Sequence, residues 1–80
     1  MTDIEKLRLL LPHWIEHNAE HASEFRAWIE RIRATQNADL VEHLEAAIQK
    51  MDSVNHDLQI ALQHLGGSES AMLHDHTHAY

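Results

Sequence analysis

The chain has 80 residues, a formal net charge of −7 with histidine counted neutral, no cysteine, two glycines and one proline. Disulfides and thiolate metal sites are therefore excluded, and the acidic balance argues against nucleic acid as a partner, because phosphate binding needs a basic face. A single domain of this size has a marginal core unless a metal or self-association supports it, and nine histidines are the outlier in the composition.

Residues 2–10 are predicted as a short helix. Thr2 caps it, with Glu5 three residues on as the capping-box partner, and Ile4, Leu7, Leu10 and Leu11 form its apolar stripe. Pro12 lacks a backbone donor and disfavours helical geometry at Leu11, so a break or sharp kink is expected there. A new helix then starts at the proline and covers 12–35. Trp14, Asn18, His21, Phe25, Trp28 and Ile32 recur in it at steps of four and three, the pattern of a seam against a partner helix. Ile15, Ala22 and Ile29 widen this stripe. Glu16, Glu20 and Glu24 lie early and Arg26, Arg31 and Arg33 late, which suits the helix dipole.

Thr35 to Asp39 reads as the turn, with Asp39 as N-cap and Glu42 as its capping partner. A third helix is predicted over 39–65, with Val41, Leu44, Ile48, Met51, Asn55, Leu58, Leu62 and Leu65 in register, and Gly66-Gly67 as its stop. Residues 68–80 are polar and too short for a core, so they are expected to form a tail. The fold expected is all-α: an antiparallel helical hairpin (12–35 and 39–65) with a short N-terminal helix (2–10). Residues 1–67 form the helical domain, followed by a His-rich tail over 68–80. Apolar side chains left over on a lone hairpin point to pairing into a four-helix-type bundle, as a homodimer or higher homo-oligomer. The absence of a long apolar run and of a signal peptide makes a soluble cytoplasmic protein, with no membrane partner, the expectation.

Antiparallel packing about a turn near Asn37 makes the numbers of facing residues sum to roughly 75. Asn18 and His21 then fall at the level of Asn55, and three polar seam residues form one layer. Such a layer must be internally satisfied. It either sets register and oligomer state or holds an ion. His13, His17 and His21 follow one another at intervals of four, with Glu16, Glu20 and Glu24 on the adjacent track. HxxxH on a helix is a workable chelate for zinc, nickel or cobalt. His17 and His21 are the candidate ligands, with Glu20 or Glu24 beside them, His56 added from the facing helix and Asn55 orienting one of them. In the tail, His74, His76 and His78 alternate with other residues, which puts three imidazoles on one side of an extended segment, a second candidate metal site. His43 and His64 are expected to be surface residues. HExxH is absent, as is the Glu-x-x-His pair of di-iron bundles, and no nucleophile stands out. The chain is not expected to be an enzyme.

Leu11-Pro-His-Trp-Ile-Glu-His-Asn-Ala-Glu-His-Ala followed by Glu24-Phe-Arg-Ala-Trp resembles a family of small uncharacterised helical-hairpin proteins from bacteria and archaea. The resemblance runs from about residue 7 to 67. It implies a link to the handling of metals, nickel or cobalt in particular, with His13, His17, Asn18 and His21 as the functional cluster and Asn55 matching a seam asparagine. It implies no activity. The function expected is binding of a divalent transition metal (nickel, cobalt or zinc) in an accessory or trafficking role, with a metal-receiving protein as a possible partner. The alternative is a metal-free helical interaction module whose Asn18, His21 and Asn55 layer sets register or oligomer state.

Overall fold

The first helix starts where the sequence places it. The Thr2 side chain accepts from the Glu5 backbone N–H at 3.1 Å, and the Glu5 carboxylate accepts from the Thr2 N–H at 2.7 Å, closing a capping box. Helix α1 runs from there over Asp3–Ile32, and α2 follows over Ala38–His64. The two helices run antiparallel, and with their caps and the turn between them they account for residues 1–66, the part of the chain described by the computed structural model. No helix among the described residues is long and apolar enough to cross a membrane.

The expected break at Leu11–Pro12 does not occur. Pro12 lies inside α1, and there is no separate N-terminal helix. Proline costs the helix one hydrogen bond and crowds the carbonyl four residues back, but tertiary contacts hold the turn that precedes it. Leu11 is buried. One turn earlier, the Arg8 Nε donates to the Leu65 carbonyl at 3.0 Å. That bond satisfies an orphan carbonyl at the end of α2 and sets a cation against the negative end of its dipole. It also ties the first turns of α1 to the last turn of α2.

At the turn, the Thr35 hydroxyl donates to the Ile32 carbonyl at 2.6 Å, and the Asn37 amide donates to the Thr35 hydroxyl at 2.8 Å. Asn37, not Asp39, is the N-cap of α2, and its side chain makes no capping bond, being used within the turn. Asp39 instead sits in the first turn, where a negative charge suits the dipole. The stop is as expected. Gly66 has φ 89°, a left-handed conformation free of Cβ strain only for glycine, and its N–H donates to the Gln63 carbonyl at 3.0 Å.

The packing of α2 follows its heptads. Ile48 is buried, with Val41, Leu44 and Met51 half-buried around it. The α1 side differs from the expected seam. Trp14 and Trp28 are 40% and 49% exposed, whereas Leu11, Ala22 and Ile29 are buried, with Ile15, Asn18, Phe25 and Ile32 half-buried in line with them. The seam is therefore 11-15-18-22-25-29-32, rotated from the aromatic-rich line. Ala22, 1% exposed, sits in the Ile29–Ile48 cluster where a larger residue would hold the helices apart. Phe25 and Met51 share that cluster, as antiparallel counting places them.

Candidate functional site

Two polar features occupy the middle of α1, and they lie on different faces. The first is the asparagine pair within the seam. The Asn18 Nδ2 donates to the Asn55 Oδ1 at 3.0 Å, and the Asn55 Nδ2 donates to the Ile15 carbonyl at 3.0 Å. Both side chains are half-buried, and the pairing satisfies polar groups that would otherwise cost stability between apolar turns. Heptad counting in two separate helices had put these residues at one level. His21 does not join them. Rotation of the seam turns it out of the layer and leaves its side chain 45% exposed.

The second feature is the histidine row. The His17 and His21 Nε2 atoms approach to 3.0 Å. His13 stacks on His17 with ring centroids 6.4 Å apart, and His21 stacks on Phe25 at 6.2 Å. The Glu24 carboxylate lies 3.5 Å from the His21 Nδ1. A carboxylate there favours the proton on Nδ1 and leaves the His21 Nε2 lone pair facing His17. Glu20 and Glu24 line an open surface depression with the two imidazoles.

His56 is exposed on α2 and does not complete a site with His17 and His21. Among the described residues, no three His, Cys, Asp or Glu side chains come together to hold a metal ion. The expected His17–His21–His56 ligand set is thus reduced to a two-imidazole pair with a carboxylate beside it. His43 and His64 are surface residues, as expected. His74, His76 and His78 lie outside the described residues. The bond from Arg8 to Leu65, 57 positions apart, was not expected from sequence, because nothing in a local pattern marks an arginine for a distant carbonyl.

The two nitrogens suit an ion geometrically. An ion about 2.1 Å from each would see them about 90° apart, the cis angle of octahedral or square-planar coordination. The pair supplies two positions and no more.

Comparison with known proteins adds kinship without chemistry. An uncharacterised protein of the archaeon Archaeoglobus fulgidus is 33% identical over 63 residues, covering 79% of this chain and all of that protein. No solved structure matches. Residues 7–65 match a family described as a domain of unknown function, DUF8180. That span takes in all but the first turn of α1, the whole of α2, the asparagine pair and the histidine pair, and the chain belongs to this family.

Proposed function

We propose that the protein binds a divalent transition metal ion and serves as a small accessory that holds and passes it on. The observation that carries this reading is the convergence of the His17 and His21 Nε2 atoms at 3.0 Å on one turn of α1, with Glu24 beside the outer nitrogen of His21. Neutral imidazoles are good ligands for nickel, cobalt and zinc, and the cis bite favours the ions that take 90° angles, nickel and cobalt, over tetrahedral zinc. A pair open to solvent, with no third protein ligand from the same chain among the described residues, supports rapid exchange, which suits delivery better than a fixed structural site. The role proposed is binding and not catalysis. His74, His76 and His78 are proposed to capture the ion first.

Calorimetric titration of nickel, cobalt and zinc into the whole protein tests this. Three forms suffice: wild type, His17→Ala/His21→Ala, and His74→Ala/His76→Ala/His78→Ala. Loss of at least tenfold in affinity in the helical variant, with binding kept in the tail variant, is the expected result. Binding that depends only on the tail variant's histidines refutes the helical site. No binding tighter than millimolar by any form refutes metal binding altogether.

The asparagine pair favours a second reading. A hydrogen-bonded Asn18–Asn55 layer between apolar turns is the arrangement that fixes helix register, so the domain also fits a helical interaction module. Under that reading the imidazoles carry no ion, and the titration gives no heat in any form.

A further inference from the structure

The two flanks of the hairpin are chemically opposite. On one, Arg26 meets Asp52 across the helices at 3.3 Å, and Glu30, Arg33, Glu45 and Gln49 line the same surface. On the other, the helical advance of about 100° per residue places Leu10, Trp14, His17, His21, Phe25 and Trp28 within about 80° of one another. No Asp, Glu, Lys or Arg stands in that row itself; charge reaches it only at its edge, where the Glu24 carboxylate lies 3.5 Å from the His21 Nδ1 and the Arg31 guanidinium lies over the Trp28 ring, 4.3 Å from its centroid. Helix α2 adds Leu40, His43, Ala47, Val54 and Ala61 on the same flank, with Lys50 at its outer edge. Leu10, Trp14, Trp28, Leu40 and Val54 are each at least 40% exposed.

The order of residues along this flank identifies what covers it. About a point at residue 19, His17 and His21 are symmetric, Leu10 and Trp28 are symmetric, and Trp14 balances Phe25 within one position. On α2, Ala47 and Ala61 are symmetric about Val54. The Asn18–Asn55 bond puts residue 19 and Val54 at one level of the hairpin. Two separate helices thus share a centre of sequence symmetry at the same height, which is what a two-fold axis perpendicular to the helices requires of a self-complementary surface. A row of this length extends about 27 Å, and two helices are about 20 Å wide, so the flank presents roughly 500 Å² in projection and more over its side chains. That is of the order of the about 800 Å² per partner of a standard interface.

We infer that a second copy of this chain covers the apolar flank about a two-fold axis passing between His17 and His21 and through the level of Val54. Resting on the metal reading above, each copy then contributes one His17–His21 pair to a shared four-imidazole site on that axis. α1 packs against α1 of the partner, with Leu10 opposite Trp28, and α2 packs against α2, where the alanines let the backbones approach. The site that one chain leaves half-built is completed by symmetry.

The test uses the full chain in EDTA and with nickel(II). Sedimentation equilibrium should give twice the 9.3 kDa chain mass in EDTA, and calorimetry should give one nickel per two chains. Val54→Asp, at an exposed position, should keep its helical circular dichroism, sediment as a monomer and lose at least tenfold in nickel affinity. Val54→Cys, in a chain without other cysteine, should form a disulfide-linked dimer under mild oxidation, since two-fold neighbours approach within disulfide range. Ser53→Cys, turned away from the flank, should not. A monomeric wild type, a Val54→Asp dimer, or cross-linking at Ser53 in preference to Val54 overturns the interface. A Val54-dependent dimer binding one nickel per chain overturns the shared site alone. A Val54-dependent dimer binding no nickel overturns the shared site together with the metal reading, and leaves the interface standing.

Discussion

Asn55 is the residue whose replacement tests the packing most directly. Asn55→Ala removes the acceptor for the Asn18 amide and the donor to the Ile15 carbonyl, both 3.0 Å bonds. A neutral hydrogen bond contributes about 0.5–1.5 kcal/mol net, so two give about 1–3 kcal/mol. The Ile15 carbonyl keeps its partner within α1 and the half-buried Asn18 amide can turn toward water, which places the expected loss near the middle, about 2 kcal/mol. In a domain of this length each kcal/mol moves Tm by about 4–8 °C, so the melt should fall by roughly 8–16 °C. Thermal and urea unfolding followed by circular dichroism measure it, at one protein concentration because association couples to stability. Asn18→Leu/Asn55→Leu removes both polar partners together and should be near-neutral or stabilising. An Asn55→Ala loss below about 0.5 kcal/mol, or a double leucine variant as unstable as the single alanine one, refutes the account of the pair as mutually satisfied polar groups.

Pro12→Ala restores the backbone donor inside α1. Because the helix is already continuous there, it should stabilise by about 2–2.6 kcal/mol, the interior-proline penalty less the gain in unfolded-chain entropy; a loss in the same unfolding assay means that proline is needed at that position. The Glu5 carboxyl is held below its ordinary value by the Thr2 backbone N–H and hydroxyl. A depressed folded value means the capping box contributes above the usual carboxylate range and is lost as pH falls through the lowered one. NMR shifts of residues 3–6 should therefore lose helical character on acidification below the usual glutamate range, and Thr2→Ala should abolish that step; an unchanged step in Thr2→Ala would assign it to another group.

The hairpin was legible because α2 carries one dominant apolar line interrupted by one asparagine. Its facing partner, Asn18, follows from antiparallel counting alone. The orientation of α1 was less legible for a physical reason. That helix has two adjacent apolar lines, and the larger residues, Trp14 and Trp28, lie on the exposed one. Side-chain size argues for the aromatic line, whereas close helix approach selects Ala22 for burial. Rotation between those lines is what removes His21 from the asparagine layer and places it with His17 on the flank. Pro12 misled for a related reason. Local backbone preference weighs against a continuous helix, and contacts at Leu11 and Arg8, the latter with a residue 57 positions away, outweigh it.

The contacts that join the two helices are also ordered in chain distance. Arg26 and Asp52 are 26 positions apart, Asn18 and Asn55 are 37, and Arg8 and Leu65 are 57. Each step outward from the turn closes a longer loop only after the shorter ones have been closed, so the entropy of closure is met in small instalments. The hairpin is in kinetic terms a zipper, fastened at Thr35–Asn37 and closed last at Arg8–Leu65. Its far end, where Pro12 also thins the backbone bonding, is where hydrogen exchange should be fastest and where the domain should begin to come apart.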